Sequence, residues 1–240
     1  MSDKKLEGAG LRGQVAGKTS LSTVGKAGKG LTYRGYPIEV LSEKAKFEEV
    51  AYLLMYGSLP NKDEYENYSN KLISMRSLPN PILEVLERIP ASAHPMDVMR
   101  TGCSMLGNIE PEGEFSNQQE SADRILATMA SIIVYWYKYS HEGKKVNTSS
   151  EYETIGGHFL SLLHGDEPSE DHIRCLDTSL ILYAEHGFNA STFTARTCAS
   201  TLSDIHSCIT GAIGTLRGPL HGGANAVSYT HLTLPTILPV

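Results

Sequence analysis

From Ser42 to Leu216 the chain is a succession of amphipathic segments, each opened by a capping signal and closed by glycine or proline. That punctuation constrains the fold more than any other feature, because apolar residues repeating every three to four positions bury one helical face and nothing else. Glu43–Tyr56 carries Phe47, Val50, Ala51 and Leu54 on one side and stops at Gly57. Asn61 and Glu64 form a capping box for a helix to about Ser74. Asn80-Pro81 opens a short helix that Pro90 ends, and Pro95–Leu106 follows with Met96, Met99, Cys103 and Leu106 on its apolar side. Ser116 and Gln119 box the start of the most apolar helix, Asn117 to about Ser140, whose tyrosines and Trp136 are expected to pack in a core. Ser150–Glu153 reads as the cap of a helix through Leu163 closed by Gly165, and Ser169 opens another to Glu185. Two more are expected, about Thr192–Asp204 and Ile205–Leu216, with Gly211 and Gly214 permitting a close helix–helix contact. Eight or nine helices after a small irregular β region make the class mainly α. The expected organisation is an N-terminal irregular or β segment over 1–40, a helical domain over 41–226 and a distinct tail over 227–240.

Composition removes several function classes. A formal charge of −6 over 240 residues argues against a nucleic-acid surface or an anionic-membrane surface. The most apolar run, Ile132–Tyr137, is far shorter than the ~20 residues a membrane span needs. The start Met1-Ser-Asp-Lys-Lys lacks an apolar signal segment. Cys103, Cys175, Cys198 and Cys208 form no C-x-x-C pair and no zinc spacing, so a reducing cytoplasm is expected and no metal. The N-x-Ser patterns at Asn67, Asn147 and Asn189 are then chance matches. Gly13-Gln-Val-Ala-Gly-Lys-Thr19 imitates a phosphate loop but has one residue too few between its glycines and no apolar strand before it. No G-x-S-x-G points to a serine hydrolase.

The stretch that carries chemistry is Gly214-Thr-Leu-Arg-Gly-Pro-Leu-His-Gly-Gly-Ala-Asn225. Glycine permits backbone angles closed to other residues and lets a ligand approach the main chain, while Pro219 fixes the entry to His221. An imidazole held there suits proton or hydrogen-bond transfer to a ligand near neutral pH; a helix end followed by an ordinary turn is the alternative. His186 also sits beside a glycine at a helix end, and Asn189, Ser191 and Thr192 after it read as the cap of the next helix. Helix N-termini attract anions, so the two histidines could converge on one small anionic ligand. Arg76, Arg100, Arg196 and Arg217 are candidate anion partners. His94, His141, His158, His164, His172 and His206 lie in ordinary helical or turn contexts.

Several of these stretches, taken in order, resemble the citrate synthase family over residues 5–226. They are Gly30-Leu-Thr-Tyr-Arg-Gly-Tyr-Pro-Ile-Glu39, Glu48–Pro60, Ala184-Glu-His-Gly-Phe-Asn-Ala-Ser-Thr192 and Gly218-Pro-Leu-His-Gly-Gly-Ala-Asn225. His94–Cys103 and Ser203–Gly214 look more like the 2-methylcitrate branch than the citrate branch. The resemblance implies a mainly α large domain, a homodimer, and condensation of oxaloacetate with an acyl-CoA, propionyl-CoA for the methylcitrate type and acetyl-CoA for the citrate type. It implies His221 as the residue that stabilises the enolate, His186 with Asn189 as oxaloacetate contacts, Arg76 as a further substrate contact, and Leu220 and Gly222 beside the acyl-CoA. No bound cofactor is implied beyond acyl-CoA as a substrate. The pattern breaks after Ala226: the last fourteen residues contain no Asp, Glu, Lys or Arg. The family's small domain, with its second histidine and aspartate base, is not found in Val227–Val240, which reads as foreign sequence. These 240 residues alone are therefore expected not to turn over, with a non-catalytic dimerisation or ligand-binding module as the competing reading.

Overall fold

A computed structural model describes residues 17–24 and 30–222. The expected foreign tail, the first half of the phosphate-loop look-alike, and Gly223–Asn225 lie outside the described residues. Three two-residue strands, β1 (Ser22–Thr23), β2 (Thr32–Tyr33) and β3 (Tyr36–Pro37), pair antiparallel in that order, with Ser22 opposite Tyr33 and Tyr33 opposite Tyr36. Arg34 and Gly35 turn the second hairpin at φ 46° and 93°. Ten α-helices follow among the described residues: α1 (Ile38–Lys44), α2 (Phe47–Tyr56), α3 (Lys62–Ser74), α4 (Asn80–Glu87), α5 (Pro95–Ile109), α6 (Gln118–Glu142), α7 (Ile155–His164), α8 (Glu170–Tyr183), α9 (Ala190–Ala199) and α10 (Ile205–Leu216).

α6 is the spine because its two sides serve two cores. Ala127 joins Leu41, Val50, Leu53, Leu72, Ile155 and Ile181 in one. Ile125, Ile132, Tyr135 and Trp136 join Ile82, Leu86, Val98, Leu106 and Ile213 in the other. Trp136 packs there as expected, and its indole N–H donates to Ile89 O at 3.2 Å.

Local caps form where local sequence announces them. Asn61 Oδ1 accepts Glu64 N–H at 3.0 Å and Glu64 Oε2 accepts Asn61 N–H at 2.8 Å. Ser169 Oγ accepts His172 N–H, and Gly165 closes α7 at φ 78°. Elsewhere distant partners prevail. The single helix expected over Glu43–Tyr56 is broken at Ala45–Lys46, where both residues are extended. Glu49 Oε2 caps Lys46 N–H at 2.8 Å, and the Arg174 guanidinium from α8 takes the carbonyls of Ser42, Glu43 and Ala45 that α1 leaves free. The Ser116–Gln119 box does not form: a 3-10 turn, Phe115–Asn117, leads into α6 instead. α7 starts at Ile155 rather than near Ser150, because Thr154 Oγ1 caps Gly157 N–H and the buried Glu48 carboxylate takes Ile155 N–H at 2.6 Å.

The small sheet positions the segment after α8. Tyr33 is fully buried and its hydroxyl donates to Ile181 O at 2.9 Å. The same oxygen accepts Glu185 N–H, and Ser22 Oγ donates to Glu185 Oε1 at 3.2 Å. Gly17 meets the Phe188 ring so closely that a Cβ there would lie 3.1 Å from Phe188 Cζ.

Candidate active site at the start of α9

The α8–α9 loop runs Glu185-His-Gly-Phe-Asn189. Gly187 adopts φ 75°, a conformation open to glycine at little cost, and its N–H is held by Glu185 Oε1. Asn189 is the N-cap of α9, its Oδ1 accepting Thr192 N–H at 2.9 Å. His186 is exposed three residues ahead of that cap. The first turn of α9 carries no acidic residue, so the positive end of the helix is not neutralised locally.

His221 reaches the same helix end from the other side. A tight turn, with His221 N–H donating to Gly218 O at 3.0 Å, folds the chain back after α10. A Cβ on Gly222 would lie 2.6 Å from Leu216 O, so the turn closes only with glycine there. The imidazole Nε2 receives Ser191 N–H at 3.3 Å and lies 2.7 Å from Ser191 Oγ. A backbone N–H points only at an unprotonated ring nitrogen. Nε2 is therefore the acceptor, and the tautomer this contact selects carries its proton on Nδ1. Below this contact Thr215 Oγ1 donates to Thr194 Oγ1 at 2.9 Å, tying α10 to α9.

The structure thus brings His186, Asn189 and His221 to one helix end, with Gly222 shaping the turn. Leu220 projects fully into solvent beside them. Arg196 also belongs to this neighbourhood, its guanidinium 5.0 Å from the centre of the Phe188 ring. Arg217 and Arg100 instead flank Asp97, at 3.4 and 3.2 Å.

Arg76 is not part of it, which corrects the expectation of a substrate contact. Its side chain is wholly buried and donates to the carbonyls of Ser150, Tyr152 and Glu153. Burial lowers its pKa to about 10. A guanidinium spent on three carbonyls staples the Ser150–Glu153 segment beneath α7 and has no path to a ligand. His158, buried beside it between Ser131 Oγ and Ser150 Oγ, is pushed down to about 3 by burial and by Arg76. It is a neutral core histidine, as its context suggested.

Ser191 was missed as a partner of His221. Its place in the first turn after Asn189 was visible, but the thirty residues separating it from His221 gave no signal. Among the described residues no group of three or more His, Cys, Asp or Glu could hold a metal ion, and no helix is long and apolar enough to cross a membrane.

The mainly α fold is that of a citrate synthase, and the chain belongs to that family: the family model for the citrate synthase C-terminal domain matches residues 10–233. Within it, the 2-methylcitrate synthase of Shewanella oneidensis is 66% identical over 226 residues, covering 94% of this chain and 60% of its own. Among solved structures, citrate synthase from Thermotoga maritima superposes with a TM-score of 0.78 at 37% identity, over 90% of this chain and 57% of that one. Citrate synthase from Thermoplasma acidophilum, solved as a ternary complex with carboxymethyl coenzyme A and oxaloacetate, gives a TM-score of 0.82 at 26% identity with the same coverage. The chain spans about 60% of the length of the curated relative named here.

Proposed function

We propose that this chain supplies the oxaloacetate-binding and enolate-stabilising half of a 2-methylcitrate synthase, which condenses propionyl-CoA with oxaloacetate to give 2-methylcitrate and CoA. The observation that supports the reading is the His221 ring held through Nε2 by Ser191, which leaves Nδ1–H as its donor.

In this reaction a base takes the proton from the carbon next to the thioester carbonyl. The electron pair moves toward the carbonyl oxygen, and His221 Nδ1–H donates to that oxygen as its charge grows. One such preorganised donor is typically worth about 3–4 kcal/mol. The enolate carbon then attacks the ketone carbon of oxaloacetate, which His186 helps to bind. Asn189 has its Oδ1 committed to α9; its Nδ2 is the part that serves oxaloacetate. Water finally cleaves the thioester and releases CoA. Leu220 and Gly222 border the acyl-CoA, with the exposed Leu220 side chain covered by it on binding. No carboxylate among the described residues is hydrogen-bonded to His221 or lies in the first turn of α9, so the base comes from outside them. The working unit is a homodimer, and four free thiols fit a reducing cytoplasm.

The test is CoA release from propionyl-CoA plus oxaloacetate. The 240 residues alone are expected to give none. A chimera continuing after Asn225 with the remainder of the S. oneidensis enzyme is expected to release CoA, with propionyl-CoA preferred to acetyl-CoA. His221→Ala in it should cost about 10²–10³ in kcat. A folded chimera that releases nothing, or whose release is indifferent to His221, removes the proposal. Preference for acetyl-CoA would favour the citrate synthase reading, to which the solved neighbours belong.

A further inference from the structure

α9 and α10 form a hairpin joined by residues 200–204, and its register can be read from two contacts. Thr194 Oγ1 meets Thr215 Oγ1 at 2.9 Å, and Thr194 Cγ2 lies 3.5 Å from where a Cβ on Gly211 would stand. One turn further along α9, toward the connection, is Cys198; one turn back along α10 from the partners of Thr194 spans 207–211, which contains Cys208. The two cysteines therefore face each other across the hairpin. The surrounding wall agrees: Ala195 and Ala199 of α9 border the same cavity of about 230 Å³ as Cys208 and Ile209 of α10. The Cys208 thiol donates to Ser203 O at 3.7 Å, in the connection between the two helices. Cys103 is turned elsewhere, toward His206 O at 3.8 Å, and Cys175 is exposed on α8.

We infer that Cys198 and Cys208 are an oxidative modification site, a dithiol that peroxide closes to a disulfide, locking the hairpin whose far end carries the Ser191–His221 contact. Cys198 is the half-buried member and the one open to an oxidant. Burial, followed by the neighbouring thiol, raises Cys208 to about 11, so it serves as the resolving partner. The Cys198 sulfur attacks one peroxide oxygen and the O–O bond breaks, giving a sulfenic acid and one water. The Cys208 sulfur then attacks the sulfenic sulfur, the S–O bond breaks, and a second water leaves. Two thiols and one hydrogen peroxide thus become one disulfide and two waters, with sulfur oxidised and the peroxide oxygens reduced. The inference does not depend on the proposed catalytic reading.

The experiment is direct because no Lys or Arg lies between Thr197 and Arg217, so one tryptic peptide holds both cysteines. The reduced, folded chain is exposed to stoichiometric hydrogen peroxide, quenched with N-ethylmaleimide in denaturant and digested. Before oxidation the Thr197–Arg217 peptide should carry two maleimides. Afterwards it should carry none, weigh two hydrogens less than the unlabelled dithiol, and regain both labels after dithiothreitol. Cys198→Ser, with helicity checked by circular dichroism, should abolish the closed species. Recovery of the doubly labelled or over-oxidised peptide from the folded wild-type chain, or linkage to the Cys103 or Cys175 peptide instead, would overturn the inference.

Discussion

Ser191 and His221 meet at the first turn of α9, with Oγ and Nε2 2.7 Å apart and the Ser191 backbone N–H aimed at the same nitrogen. The helix thereby decides which imidazole nitrogen keeps the proton. A histidine on a loop of glycines is otherwise free to exchange tautomers, and a donor that must reorient before use stabilises an oxyanion poorly. Long-range ¹H–¹⁵N correlation of His221 should therefore show the Nδ1–H form near neutral pH. Ser191→Ala keeps the N–H and should keep that tautomer. A dominant Nε2–H form would contradict the geometry on which the enolate role rests.

Arg76 offers a stability test of the corrected assignment. Removing a buried guanidinium leaves the carbonyls of Ser150, Tyr152 and Glu153 without their donor, at a cost of about 3 kcal/mol or more. Arg76→Ala should accordingly lower the urea midpoint sharply, whereas His186→Ala, at an exposed loop position, should change stability by no more than about 0.5 kcal/mol. Equal, small effects from both would return Arg76 to the ligand side.

These cases mark what was legible in the sequence. Asn61, Ser169 and Asn189 announce their helices because a cap is a contact between residues two or three apart. The break between α1 and α2 was illegible because its stabiliser, Arg174, lies about 130 residues away. The start of α7 was misplaced for the same reason: Glu48 caps it from 107 residues upstream. His221 stands out in the sequence through its glycines, but its tautomer depends on a partner in another helix. Arg76 looked available because arginine usually is; burial cannot be seen without the fold.

Stability should depend on pH through the groups around the α7 N-terminus. Burial pushes Glu48 up to about 7 and Asp177 up to about 6, while His158 is pushed down to about 3. Folded-state carboxylates with raised values hold protons that the unfolded chain has lost, so each contributes stability at low pH that disappears as pH rises through its folded value. The buried His158 acts oppositely, costing stability as pH falls below its unfolded value of about 6.5. Between about 4 and 6 these effects oppose one another; from about 6.5 to 8 the His158 and Asp177 effects fade and the Glu48 loss dominates. Unfolding free energy should thus fall across that upper window. Glu48→Gln keeps an acceptor for Ile155 N–H and should flatten the fall, gaining up to about 3 kcal/mol over wild type at pH 8. Urea titrations at pH 6.5 and 8 measure both; an unchanged slope in the variant would show that Glu48 does not carry it.

Tyr33 connects the small sheet to the histidine loop from within the core, beside the contact that Ser22 makes with the Glu185 carboxylate. The Tyr33 hydroxyl donates to Ile181 O and accepts Glu185 N–H, so one oxygen holds both the last turn of α8 and the residue preceding His186. Tyr33→Phe keeps the buried ring, and with it the packing against Leu41 and Ile181. It should lose only about 1 kcal/mol of global stability, the usual net worth of one such hydrogen bond. The local consequence should be larger in kind: amide exchange at Glu185 and Gly187 should quicken while exchange in α6 follows the small global change alone. That pattern would show the N-terminal strands acting as the support of the His186 loop. Uniform acceleration across the chain, or none at Glu185, would reduce Tyr33 to an ordinary core residue.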